Sequence, residues 1–495
     1  MTTDEPASRG RHLTIPHLLV AAAALVLAVQ AGLRLLSLPF RIWDNVRLAE
    51  IVSLWHGFPL YPGPAKAIPA WVYGPVGPIV FGPACLGSSA DAMVLLGGAI
   101  NLLLAIAPLA IAVWLATRRD ATATLIATVA LVGLSLTVTS MFEVACVIQM
   151  EAVGLAFIVA AACALGHVST LQAVAAAGLL LALAVWTKQT FAFGAAGLVL
   201  FTAVHGGLRR ACLLAGTTFA ACVALAIVFF AWFDRERMWF WMIDVPSRQP
   251  WVELLTGRPW DLGAVVVEVT RHLWVAAIIA AGGAWGCRQA RVSPSPIAVA
   301  LLWAAAAQLP VAVAGLQKVG GTCNHLGVIS LLAATAGIIM LLAAAKRTIS
   351  PDGLRNIVFP AVAIVAATSA CLAGLPLRVA ARIVAGGPSP LARCTALAAD
   401  RPGEVYFPWQ PLASFVGEGR LYHVDYGLLD LRFSGFEMSE EWLMAGLPAR
   451  LAYVVCPDPP LTNEVITRLG PRLEPATDLR VPGFRVYAVV PHPAR

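Results

Sequence analysis

Residues 296–345 read PIAVALLWAAAAQLPVAVAGLQKVGGTCNHLGVISLLAATAGIIMLLAAA. Two apolar runs, 296–315 and 326–345, flank a short turn that holds Lys318, a Gly-Gly pair, Asn324 and His325. Roughly 20 apolar residues in a helix cross the ~30 Å of a bilayer's hydrocarbon core. The stretch therefore reads as a pair of membrane helices joined at one face. The same signal recurs at 15–40, 90–116, 121–140, 151–166, 170–187, 190–206, 211–232, 266–286 and 357–376, about eleven runs in all.

Composition agrees with that reading. Of 495 residues, 59% are hydrophobic and only 12% charged, and the mean hydropathy is +0.79. A soluble domain carries about a quarter charged residues, so a cytosolic enzyme, a disordered chain and a nucleic-acid-binding module are excluded. Ten cysteines are scattered singly, which is neither a disulfide framework nor a zinc site. Interspersed Ala and Gly suit close helix packing in lipid. The first run is too long for a signal-peptide core and lacks a small-residue cleavage site.

Loop charge sets the orientation. With the N-terminus inside, Arg118–Arg119, Arg209–Arg210, Arg288/Arg291 and Lys346–Arg347 all fall on the inner side. Lys and Arg are then about twice as dense inside as outside. Eleven crossings put the C-terminus outside. The expected fold class is an all-α polytopic membrane protein with a small α/β C-terminal extracytoplasmic domain. The membrane domain is 1–376, including a long outer loop at 41–89, and the outer domain is 377–495. The stretch from Tyr73 to Leu86 is too apolar for a solvated loop and too broken by Pro and Gly to span, so it is expected to lie on or re-enter the membrane. In the outer domain, Glu404 to Phe407, Leu451 to Val455 and Phe484 to Val490 read as strands, and Thr462 to Leu469 as a helix.

Ionisable groups near membrane depth are costly and mark function by default. Asp44, Glu143, Glu151, Lys188, Lys318, Asn324 and His325 all sit at outer ends of the expected helices. Asp44 suits a general base or a helix cap, and Glu151 a first-turn acid. Lys188 suits a phosphate ligand or a snorkelling cation. Lys318 precedes a Gly-Gly turn able to present amides to an anion. No nucleophile elbow, metal-ligand spacing or phosphate loop is visible.

The order of these features resembles the GT-C superfamily of membrane glycosyltransferases, near the protein O-mannosyltransferase and lipid A aminoarabinose transferase branch. The features are Trp43-Asp44-Asn45 in the first outer loop, Gly57-Phe-Pro-Leu-Tyr61, Tyr73-Gly-Pro75, Gln149-Met-Glu151, Thr187-Lys188 and Lys318-Val-Gly-Gly with Asn324. The resemblance implies an inverting enzyme of the plasma membrane. It would move sugar from a polyprenyl-phosphate donor to a lipid, glycan or protein acceptor. Asp44 would be the base, and Lys188 and Lys318 would hold the donor phosphate. Glu151, Tyr73, Asn324 and His325 would support them, and a divalent metal would fall to Asp44 and Glu151. The implied partners are the bilayer and the lipid-linked sugar. Asn45 stands where the family has a second acid, Glu151 where it has an aspartate, and no lysine lies beside Tyr73.

Two other classes stay open from the residues. A transporter or flippase would show repeats and mid-helix polar groups. A non-catalytic lipid-binding protein would keep the fold without the chemistry. Cys394 and Cys456, alone in the outer domain, either pair across a long loop or remain buried thiols.

Overall fold

The computed structural model describes residues 15–63, 71–167, 170–251, 262–318, 323–348, 377–378, 380–381, 384–457 and 464–490. Six described helices are long and apolar enough to cross a membrane: Ala90–Ala116, Met150–His167, Leu208–Trp232, Gly263–Ala290, Pro296–Leu316 and Asn324–Thr348. Three shorter apolar helices, Ala21–Leu36, Leu171–Thr187 and Phe191–Gly206, match further expected runs. The run at 357–376 lies outside the described residues. The chain is a multi-pass membrane protein.

Local chemistry sets the helix starts. The side chains of Ser89, Asp120 and Thr170 each accept a hydrogen bond from the backbone N–H three residues on, which satisfies one of the orphan donors of a first turn. Between helices, missing side chains allow close approach. A Cβ on Gly337 would come within 2.5 Å of the Ile279 carbonyl oxygen, and one on Gly283 as close to that of Gly337. These two backbones pack as small-residue faces do in lipid.

The expected span 121–140 is present as a bent pair of helices. Helix Ala121–Thr137 ends at an extended Val138, and a second helix, Thr139–Ala145, leaves at 106° to it. A break at membrane depth needs internal hydrogen-bond partners. At the break the Val138 N–H donates to the Leu134 carbonyl and the Val138 carbonyl accepts from the Phe142 N–H. At the far end of the second helix, buried Asn101 donates from Nδ2 to the carbonyls of Val144 and Ala145 and accepts at Oδ1 from the Gln149 N–H.

The C-terminal residues form a four-stranded sheet, order β1-β2-β4-β3. Its strands are β1 (Val405–Tyr406), β2 (Tyr453–Pro457), β3 (Leu473–Pro475) and β4 (Phe484–Val489). β1 and β2 are parallel, and the other pairs antiparallel. The three expected strands are present, and β3 is an addition. The expected helix appears as Glu464–Leu469. This unit shares one apolar core with the first loop, in which Leu48, Trp71 and Phe81 join Tyr406, Leu412 and Val454. Cys394 and Cys456 are buried thiols of that core and are not joined in a disulfide. The bridge is therefore absent, and each cysteine packs as a small apolar side chain.

Candidate active site

The turn after helix Leu171–Thr187 and the start of helix Met150–His167 lie at the same end of the bundle, and they bring two charges together. Lys188 Nζ donates to Glu151 Oε1 at 2.5 Å, both side chains being buried. His325 Nδ1 is 3.9 Å from the same carboxylate oxygen, and the Lys188 ammonium lies 4.8 Å from the centre of the Tyr73 ring. Burial works against the Lys188 charge, but Glu151 and Tyr73 outweigh it and hold its pKa above the ordinary lysine value. Gly74 makes the approach of the Tyr73 loop feasible, since a Cβ there would collide with the Trp186 carbonyl.

Beside this cluster opens a cavity of about 450 Å³, lined by Tyr73, Lys188, Lys318, His325, Tyr426 and Asp430 among others. Lys318 donates to the Pro246 carbonyl at 2.7 Å and stacks 5.3 Å over Trp251. Burial alone lowers its pKa. Among the described residues it has no carboxylate within ion-pair distance. Four of the expected site residues, Tyr73, Lys188, Lys318 and His325, therefore share one cavity. Glu151 stands behind Lys188. Asn324 is buried at its helix start, where its Oδ1 accepts from the His325 N–H. The Gly-Gly pair after Lys318 lies outside the described residues.

Asp44 stands apart. It is fully buried in the first turn of helix Ile42–Trp55 and does not line the cavity. Its Oδ1 accepts from the Ile148 N–H at 2.8 Å, and its Oδ2 is 3.5 Å from Arg41 Nε. Burial pushes its carboxyl above the usual range, against Arg41 and that amide. Arg41, not Asp44, occupies the cap position of the helix, without a side-chain cap bond. Asn45 replaces the expected second acid for a visible reason. Its Nδ2 donates to the carbonyls of Ile42 and Trp409, at 2.7 and 3.0 Å, so it ties the loop to the C-terminal unit.

The metal expectation does not fit. Arg41 neighbours one of the two carboxylates and Lys188 binds the other, and among the described residues no three His, Cys, Asp or Glu side chains gather into a binding group. No step is assigned to a metal.

Several residues of the site were not picked out from the sequence. Arg47, 3.9 Å from Glu50, lies over the rings of Tyr73 and Tyr426, 5.4 Å from each. Burial opposes its charge, yet Tyr73, Glu50, Tyr426 and Asp430 raise its pKa further. Asp430 accepts from Gln249 Nε2 at 2.8 Å through Oδ1, while its buried Oδ2 has no hydrogen-bond partner among the described residues. Tyr426 and Asp430 are four apart on helix Asp425–Phe433, a spacing that puts both on one face.

The sequence matches no family model and no curated protein. Solved structures do match. ArnT from Cupriavidus metallidurans bound to undecaprenyl phosphate superposes with a TM-score of 0.58 at 16% identity, over 95% of this chain and 98% of that one. Its apo state gives 0.54 at 16% identity, over 94% and 98%. The chain has the fold of these ArnT structures. On that frame, the cavity with the two lysines lies where the first loop, the helix ends and the C-terminal unit meet.

Proposed function

We propose that this chain is a membrane glycosyltransferase that takes its sugar from a polyprenyl-phosphate carrier. The observation that carries the reading is the shared cavity of Lys188 and Lys318 at one end of an apolar GT-C helix bundle. The ArnT structure of that fold is described as bound to undecaprenyl phosphate, and a carrier with a lipid tail needs a site within reach of the bilayer.

The chemistry follows from the charges. As the bond from the anomeric carbon to the phosphate oxygen breaks, negative charge grows on the phosphate. Fixed cations aimed at that charge lower the barrier. Lys318, with no acid partner among the described residues, supplies net positive charge, and Lys188 keeps ammonium protons beyond the one given to Glu151. An acceptor hydroxyl attacks from the opposite side and the centre inverts.

In this reading Asp44 acts as a positioning residue instead of the expected base. By holding the Ile148 amide it fixes the segment that leads, three residues on, into Glu151 and so into the Lys188 pair. The cavity faces outward in the plasma membrane, the N-terminus is cytoplasmic, and residues 377–495 form the extracytoplasmic domain.

Undecaprenyl phosphate binding to the full chain in lipid nanodiscs tests the proposal. A charge-assisted hydrogen bond is worth about 1.5–3 kcal/mol, so Lys318→Ala is expected to weaken binding by about 10- to 100-fold. Unchanged affinity in that variant would refute the phosphate role.

A further inference from the structure

A cavity of about 490 Å³ opens at the end of the bundle opposite to the two lysines. Its walls are the last turns of helices Met150–His167 and Phe191–Gly206 and the first turns of Leu208–Trp232 and Pro296–Leu316. Helix Pro296–Leu316 links the two sites. Pro296 and Val299 line this cavity, and Val311, Ala314 and Gly315 line the other. That helix has 21 residues, a length of about 30 Å, which is the thickness of the hydrocarbon core. The cavity therefore lies at the opposite membrane surface, at headgroup depth.

Its lining is divided by chemistry. Leu165, Val174, Phe201 and Val299 form an apolar floor, and His167, His205 and Arg210 form a basic rim. His205 packs on the Phe201 ring, with centroids 4.9 Å apart, and Arg210 is half-buried. Gly166 lets two helix ends close one side, since a Cβ there would come within 2.7 Å of the Ile297 side chain. No acid of these elements answers the rim. The sequence has no Asp or Glu between Glu151 and Asp234, nor between Glu268 and Asp352, and those two stretches supply the whole lining. Lys346, at the same end of the bundle, is by contrast paired with Asp120 at 2.7 Å. Lys and Arg on open inner loops are ordinary and need no ligand. Here the cations border an apolar hollow, so a free anion would leave the floor unfilled, whereas a phosphate attached to acyl chains fits both parts.

We propose that this cavity binds the headgroup of an anionic phospholipid from the leaflet opposite to the carrier site. Basic pockets between membrane helices hold such headgroups. Arg210 takes the phosphate through parallel N–H bonds, and each imidazole donates an N–H whether neutral or charged. The acyl part lies against Phe201 and Val299. The site shares no residue with the cavity of Lys188 and Lys318, and it does not rest on the glycosyltransferase reading.

Native mass spectrometry of the full chain with added phosphatidylglycerol tests this, with phosphatidylcholine as the zwitterionic comparison. Phosphatidylglycerol is expected to bind the wild type about 10-fold more tightly and to raise its melting temperature in detergent. Excess inorganic phosphate should not displace it, because phosphate alone cannot fill the apolar floor. Arg210→Gln should weaken phosphatidylglycerol binding by about 10-fold. Arg209→Gln removes the same charge from the neighbouring residue, which is not part of the cavity wall, and should cost clearly less. Both variants should melt like the wild type when lipid is absent. Equal losses in the two variants overturn the assignment. In the wild type alone, lack of preference for phosphatidylglycerol, or its displacement by inorganic phosphate, overturns it as well.

Discussion

Lys188 and Glu151 are 37 residues apart in the chain and 2.5 Å apart in the fold, both buried. Two charges out of water hold each other only as a pair, and losing one partner leaves the other uncompensated. Their contact fixes the end of one helix against the start of another and orients an ammonium toward a cavity.

Removing either partner should therefore destabilise the chain strongly. Glu151→Ala and Lys188→Ala are each expected to cost about 3–5 kcal/mol, and the double variant well under the sum. Denaturant unfolding in detergent measures this. Single variants that unfold like the wild type would contradict a tightly coupled pair.

Asn45→Asp should damage the protein although it restores an acid that relatives of the resembling family carry. The amide donates to two carbonyls, one in the C-terminal unit, and a carboxylate has no proton to give. A loss of about 1–3 kcal/mol is expected, read as a lower melting temperature. A melting temperature equal to or above that of the wild type would show that the tether is dispensable.

Gly74→Ala tests the approach of the first loop to the Lys188 turn. A Cβ there meets the Trp186 backbone, which cannot swing aside as a side chain does. The variant is expected to displace Tyr73 from Lys188 and to lower carrier affinity. Tryptophan fluorescence and undecaprenyl phosphate binding both unchanged would mean that the loop can yield.

Asp430 gives a pH dependence of defined sign. Its folded-state pKa of about 7 lies above the ordinary value of 3.8, so between those pH values the folded chain keeps a proton that the unfolded chain releases. Stability is therefore highest at the acid end of that window and falls as pH rises toward about 7. Asp430→Asn removes the titration. It should melt at a higher temperature than the wild type near pH 8, with the gap closing toward pH 4. A gap independent of pH would refute the shift.

Much of the fold was legible because hydrocarbon thickness imposes one length on every span. The helices around Lys318 and Lys188 follow directly from their apolar runs. The 106° break at Val138 did not, since the apolar run continues through it without a proline or glycine at the bend. In the site, Lys188, Glu151, Lys318 and His325 stood out as charges at helix ends, and a shared side of the membrane was enough to group them. Asp430 and Tyr426 were hidden because they belong to a soluble-looking unit, where an acid and a tyrosine are ordinary. Only the common core that packs that unit onto the first loop brings them to the lysines. Asp44 was legible as unusual, but its burial against Ile148 depends on a contact 104 residues away.

The glycosyltransferase proposal requires that the cavity of Lys188 and Lys318 hold a lipid-linked phosphate. A structure of the full chain in nanodiscs with undecaprenyl phosphate tests it most directly. The phosphate oxygens are expected within about 3 Å of the Lys318 Nζ, the distance of a charge-assisted hydrogen bond, with Lys188 on the same group. A second cavity, lined by His167, His205 and Arg210 at the opposite ends of the same helices, offers cations of its own. Phosphate density there, with the Lys318 cavity empty, would contradict a carrier site at Lys188 and Lys318.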